Sequence, residues 1–92
     1  MALVLPLRQG QEFYVADLRV VVSKLLDEGG FELHVLETDH RYEVGEEEPV
    51  EMKEAEEVWF QSGGRSQSGV VIVIIDAPKE IPVTRGRRAA AA

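Results

Sequence analysis

The sequence predicts a small, mainly β domain, and three features support this prediction. Residues 31–44 alternate between polar and apolar side chains around Thr38-Asp39-His40, which is typical of a β-hairpin. Val70–Ile75 is an uninterrupted run of six apolar residues, which is typical of a strand that is covered on both faces. The chain has 92 residues, which is the size of one domain.

The N-terminal segment predicts two short strands. In ALVLPLRQG, Leu3, Leu5 and Leu7 alternate with Val4 and Pro6, a pattern typical of a strand. The proline marks that strand as an edge or an end, because proline cannot donate to a strand ladder. The next segment, EFYVA, is rich in aromatic and β-branched residues and predicts a second strand.

Residues 18–26 fit two patterns. Four apolar residues would share one face of a helix: Leu18, Val21, Val22 and Leu25. That helix would begin at Asp17 as N-cap and stop at Gly29. The Val20–Val22 run favours a strand instead, followed by a turn at DEGG, and we expect the strand.

The middle of the chain predicts a hairpin and a short acidic helix. The hairpin pairs Phe31–Glu37 with Arg41–Val44. The following stretch, EEEPVEMKEAEEVWFQSGG, contains good helix formers, with Pro49 suited to a first turn and Gly63–Gly64 to a stop. A strand over EVWFQ is the alternative for its end.

The C-terminal part predicts a polar loop and two more strands. Val70–Ile75 has no polar alternation, so we expect a central strand that is covered on both faces. A turn at DAPK leads into EIPVTR, which Pro82 marks as an edge strand. The basic and alanine-rich tail, residues 86–92, is expected to be disordered.

Composition excludes several classes of function. The chain has no cysteine, so it has no disulfide framework, no cysteine-based zinc site and no thiol nucleophile. This composition fits the reducing cytoplasm, where we expect the protein to act. The sequence shows no secretory leader pattern, and its longest apolar run is far below the ~20 residues of a membrane helix, so we expect no membrane partner.

Acidity is concentrated in one segment. Glu46–Glu57 holds seven glutamates and one lysine, a net of −6 within a total of −7. These glutamates lack the spacing of a calcium loop, and a solvated face is expected. His34 and His40 are the only histidines, and the sequence has no phosphate-binding loop. We therefore predict no catalytic residues, no metal, no cofactor and no enzymatic activity.

Two arginines stand at the ends of predicted edge strands. Arg8 follows the first strand and Arg85 ends the last. If these edges meet, the two guanidinium groups converge on one rim. The planar guanidinium group suits phosphate and guanine edges.

Both ends of the chain resemble the carbon storage regulator (CsrA/RsmA) family. LVLPLRQGQ resembles the family's first strand, L-[VI]-L-[TS]-R-[RK]-x-G-E. IIDAPKEIPVTRG resembles its last turn and strand, with DAPKEI, Val83 and Arg85 in register. VADLRVVV is similar to its third strand. Together these stretches cover roughly half of the chain.

The resemblance implies an intertwined homodimer of five-stranded antiparallel sheets that binds GGA-containing RNA and alters translation or message stability. The first strand of one subunit would lie beside the last strand of the other. The RNA-binding positions that it implies are Leu5, Arg8, Val83 and Arg85. Arg87 and Arg88 would add nonspecific phosphate contacts.

Several positions depart from the family pattern. Leu7 replaces the first arginine of a pair, Pro6 replaces Thr or Ser, and residues 31–69 form an insertion. These changes support a second interpretation, a protein-interaction module that has lost or masked its RNA site. The acidic segment would then bind a basic protein partner or act as an autoinhibitory lid.

Overall fold

The computed structural model describes residues 2–85, which form nine strands and one 3₁₀ turn. The strands are β1 (Ala2–Leu7), β2 (Glu12–Val15), β3 (Leu18–Leu25), β4 (Phe31–Val35), β5 (His40–Val44), β6 (Val50–Glu51), β7 (Trp59–Arg65), β8 (Val71–Asp76) and β9 (Val83–Arg85). The described residues contain no α-helix, so the prediction of a mainly β fold is confirmed. None of them forms a helix able to cross a membrane.

The strands form two antiparallel sheets. One has the order β1-β8-β7-β6 and the other β5-β4-β3-β2-β9. Alternate residues of each sheet point into one shared core, as the two-residue period of a strand requires. Phe13 on β2 and Phe60 on β7 meet there edge to face, with ring centroids 6.0 Å apart.

The two sheets meet along two opposite edges. At one, β9 lies beside β1, and the Arg85 guanidinium donates to the Pro6 carbonyl oxygen. At the other, β5 lies beside β6 and β7, and the Tyr42 ring packs on Phe60 with centroids 6.1 Å apart. We call the first the arginine edge (β1 and β9) and the second the acidic edge (β5, β6 and the segment Glu46–Glu57).

Several predicted strands are confirmed. Residues 18–25 form a strand, as the valine run indicated. The hairpin is present as β4 and β5, with a turn that begins earlier than predicted because the Asp39 amide bonds the Val35 carbonyl. β1 and β9 are edge strands. That the hairpin belongs to an insertion in a smaller fold stays a prediction.

The predicted acidic helix is wrong. Residues 46–57 form bends, a two-residue strand and turns. The Met52 amide bonds the Val58 carbonyl, and both side chains are buried. A helix would turn these positions away from one another, so core burial outweighs the helix propensity of the glutamates.

Val70–Ile75 supplies β8, which lies inside its sheet between β1 and β7. Within this chain, however, only one of its faces is covered. Val71, Val73 and Ile75 lie in the core, whereas Ile72 and Ile74 stay half-buried on the outer face. The prediction of two covered faces is therefore not met by the single chain.

β1 pairs with β8 and β9 pairs with β2, so the first and last strands find their partners without a second copy. β1 and β9 are edge strands of different sheets, so they lie side by side where the two sheets meet but do not form a strand pair. The homodimer with exchanged strands stays a prediction.

Candidate nucleic-acid interface

The arginine edge is closed by one side chain. Arg85 lies opposite Phe13 in the β2–β9 register, and its Nη2 donates to the Pro6 carbonyl oxygen at 3.3 Å. The proline leaves the outer side of β1 without an amide donor at this position, so its carbonyl accepts from a side chain instead of from another strand. Arg85 stays exposed while making this contact.

The turn between β1 and β2 holds the second arginine. Gly10 adopts a φ of 90°, and its amide bonds the Val22 carbonyl at 2.8 Å, which fixes the turn against β3. The Arg8 amide donates to Gln11 Oε1 at 2.9 Å. Its guanidinium donates to the Ser68 carbonyl oxygen at 2.8 Å, so Arg8 is exposed yet oriented.

A shallow recess connects this turn to β9. Its volume is about 280 Å³, and Leu7, Gly10, Gln11, Glu12 and Arg85 line it. The recess is small for an organic cofactor. Its size and its polar rim suit one planar group, such as a nucleobase, stacked or hydrogen-bonded against a guanidinium.

The acidic residue at this recess is paired. Glu12 Oε2 accepts from the Tyr14 hydroxyl at 3.0 Å, and Oε1 lies 3.6 Å from Arg19 Nε. Arg19 also packs over the Tyr14 ring, 5.9 Å from its centroid. The hydrogen bond to Tyr14, followed by the Glu12 charge, raises the pKa of Arg19, so the guanidinium stays charged.

Sequence reasoning missed Tyr14 and Arg19. They stand directly opposite each other in the β2–β3 register, next to β9. A cross-strand pairing of the second and third predicted strands would have placed them together. The missing information was the register, which the two-residue connection at Ala16 and Asp17 sets.

The acidic edge lies on the far side of the sandwich. Three strand spacings separate β1 from β6 in one sheet, and four separate β9 from β5 in the other. At about 4.8 Å per spacing, these are roughly 14 and 19 Å along the sheets. Both exceed the Debye length of about 8–10 Å at working salt, while Glu46, which lies beside β7, is roughly 10 Å from β1 and so about one Debye length away. Screening therefore reduces the repulsion between the acidic segment and a ligand at the arginine edge.

The predicted RNA-binding residues separate into three groups. Arg8 and Arg85 are exposed and come to the same edge. Leu5 is only 7% exposed and Val83 packs against the core, so their side chains support the edge from inside. Arg87 and Arg88 lie outside the described residues.

Leu7 occupies the position where the family pattern has a cation. Its side chain is 1% exposed and belongs to the core.

Both histidines have carboxylate partners away from the arginine edge. His34 Nε2 lies 2.6 Å from Asp39 Oδ1, and His40 Nδ1 lies 2.8 Å from Glu54 Oε2. Within residues 2–85, no group of three or more histidine and carboxylate side chains is arranged to hold a metal ion.

Comparison with known protein families, with curated proteins and with solved structures finds no match to this chain.

Proposed function

We propose that this chain is a post-transcriptional regulator that binds GGA-type sites in mRNA leaders or small RNAs at the arginine edge. The observation that carries the proposal is the contact between Arg85 and the Pro6 carbonyl oxygen. It fixes an exposed guanidinium beside the turn that holds Arg8. In the homodimer that the family resemblance implies, two such edges would be available.

The proposed chemistry assigns different roles to the two arginines. Arg85 can release its single carbonyl contact and present two parallel N–H groups to O6 and N7 of a guanine. Arg8 is held at the β1–β2 turn, where it would contact a phosphate. Glu12 opposes binding little because Tyr14 and Arg19 already engage its carboxylate.

Because Leu7 is buried and uncharged, we expect a lower affinity for RNA than at a site that carries two adjacent arginines. Its side chain is fixed in the core, so no cation can occupy this position. A good base-reading contact is worth about 1–3 kcal/mol, and its loss weakens binding tenfold or more. Binding should therefore depend strongly on Arg85 and on salt concentration.

The test is fluorescence anisotropy with two labelled RNA hairpins that differ only in the loop, GGA in one and CCA in the other. We expect the protein to prefer the GGA loop, with weaker binding at about 200 mM than at about 50 mM salt. Equal affinity for both loops, or no binding at the lower salt concentration, would contradict the proposal.

A second candidate function rests on the acidic edge. Asp27, Glu28, Glu43 and Glu46–Glu48 line a cavity of about 540 Å³ there, together with Pro49 and Val50. Such a surface favours a basic protein partner. Strand order gives no support to a lid over the arginines, since it separates the two edges. Retention of a basic peptide by the wild type and loss on triple substitution of Glu46–Glu48 to Gln would favour this function.

A further inference from the structure

The outer face of the four-stranded sheet carries an apolar patch that is bordered by Gln61 and Asp76. Its side chains come from three adjacent strands and form what we call the apolar face: Val4, Pro6, Ile72, Ile74 and Trp59. The β1–β8 register places Val4 opposite Ile74 and Pro6 opposite Ile72. Val4 is 56% exposed and Trp59 is 39% exposed, so this face is open to solvent in the single chain.

A glycine keeps part of this face flat. The side chains of Ile72 and Ile74 lean over Gly63 on β7, where an added β-carbon would lie 2.8 Å from Ile72 Cγ2. Because Gly63 has no side chain, the side chains of Ile72 and Ile74 occupy the space above β7 where a β-carbon would otherwise lie. Flat, apolar sheet faces of this kind pack against a second sheet about 10 Å away.

The apolar face has a ridge and a recess. Val4 and Pro6 project from the edge strand β1. Beside Trp59 lies a recess of about 450 Å³ that is lined by Ala2, Pro49, Trp59, Phe60, Gln61, Ile74 and Asp76. A two-fold axis puts the same surface on both partners, and an axis that runs across the strands lays β1 of one copy over β1 of the other, so Val4 and Pro6 of the two copies meet.

Charge supports one orientation of two such faces. Asp76 lies opposite Ala2 in the β1–β8 register, at one end of the face. Arg8 follows β1 at the other end, about 20 Å away at 3.3 Å per residue. A two-fold axis that runs across the strands brings the Arg8 end of one copy over the Asp76 end of its partner, and the charges then attract.

We propose that two copies of this chain associate through the apolar face, sheet against sheet, without exchange of strands. This interface differs from the exchanged-strand dimer that the family resemblance implies, because each copy keeps its own β1 and β9. It also accounts for the unalternating sequence of β8, whose outer residues Ile72 and Ile74 become covered. The proposal does not depend on RNA binding.

Only three strands contribute to the face, so the area buried per partner is below that of a standard protein interface. We therefore expect a weak association whose extent depends on protein concentration. Trp59 is the only tryptophan of the chain and lies on the face, so its fluorescence reports the association directly.

The experiment measures mass by analytical ultracentrifugation and Trp59 emission on the full chain, without RNA, from about 1 to about 500 µM. The wild-type mass should rise from 10.2 kDa towards twice that value, while Trp59 emission shifts to the blue and iodide quenching falls. Val4→Glu should weaken association at least tenfold. Leu36→Glu is the matched control, because Leu36 is 40% exposed on a loop away from the face, and it should change association less than twofold.

A second variant, Trp59→Lys, is followed by mass alone and should also weaken association at least tenfold. Circular dichroism verifies that each variant folds. A wild type that stays monomeric over the whole range overturns the proposal. A dimer that is insensitive to both Val4→Glu and Trp59→Lys also overturns it and indicates another interface, such as exchanged strands.

Discussion

The guanidinium of Arg85 bonds the carbonyl oxygen of Pro6 at 3.3 Å, which joins the last described residue of the chain to its first strand across the gap between the sheets. The same strand order sends the acidic segment to the opposite edge. Opposite charges are therefore separated on one small domain, with consequences for binding and stability that can be measured.

The acidic segment should have little influence on a ligand at the arginine edge. Neutralising Glu46, Glu47 and Glu48 to Gln removes three charges of the acidic edge. Glu46 lies beside β7, two strand spacings or roughly 10 Å from β1, which is about one Debye length. We expect the affinity for the GGA hairpin to change less than about threefold at working salt. Anisotropy titration measures this, and a gain of tenfold or more would instead indicate an autoinhibitory segment.

Glu54 should stabilise the fold in a pH-dependent way. Its carboxylate accepts hydrogen bonds from Thr38, from the Tyr42 hydroxyl at 2.6 Å and from His40 at 2.8 Å. Burial raises the pKa of Glu54, but these three hydrogen bonds lower it by more, so the net value lies below the ordinary 4.5. Glu54→Gln should cost about 1–3 kcal/mol at neutral pH, measured by urea unfolding.

The pH dependence of that difference has a definite direction. Because the pKa of Glu54 is lower in the folded than in the unfolded chain, its stabilising effect is complete above pH 4.5 and is lost as the pH falls through the folded value. The wild type and Glu54→Gln should therefore converge in stability under acid. A difference that stays constant across this range would exclude the carboxylate as its source.

The Tyr42 hydroxyl should ionise at a higher pH than the hydroxyl of an exposed tyrosine. Burial, followed by the hydrogen bond to Glu54, raises the pKa of Tyr42 from 10.0 to about 12. The unfolded chain ionises first, so stability should fall as the pH rises from 10 towards 12. Subtracting the ultraviolet titration of Tyr42→Phe from that of the wild type isolates this hydroxyl. A midpoint near 10 would show that it is not buried in solution.

Gly63 should be intolerant of a side chain. The β-carbon of Gly63→Ala would lie 2.8 Å from Ile72 Cγ2 and 3.1 Å from Ile72 Cβ, so the Ile72 side chain must move. We expect a loss of about 1–3 kcal/mol in the free energy of unfolding. Gly45→Ala is the matched control, because an added β-carbon there meets no atom within 4 Å. Equal effects of the two substitutions would contradict this account of β7.

The elements that the sequence predicts well are those whose burial pattern is local. The alternation of β4 and β5 and the valine run of β3 each identify a strand without reference to the rest of the chain. The acidic segment was mispredicted because its fold depends on distant partners: Met52 and Val58 are buried against strands that the helix propensity of their neighbours cannot anticipate.

The candidate site was predictable only in part. Prolines and strand-end arginines indicated that Arg8 and Arg85 stand on edges, but the order of the strands decides whether two edges meet. The role of Leu7 shows the limit most clearly. From the sequence, Leu7 is a position where the family pattern has an arginine and this chain has no charge. The structure shows that the Leu7 side chain is only 1% exposed and packs in the core beneath the arginine edge.

The most direct test of the central claim compares the affinities of Arg85→Ala and Lys53→Ala for the GGA hairpin. Both substitutions remove one exposed cation, but Lys53 belongs to the acidic edge. We expect Arg85→Ala to weaken binding at least tenfold and to reduce the preference for the GGA over the CCA hairpin, while Lys53→Ala leaves the affinity within about twofold. Equal affinities of the two variants for the GGA hairpin would contradict RNA binding at the arginine edge.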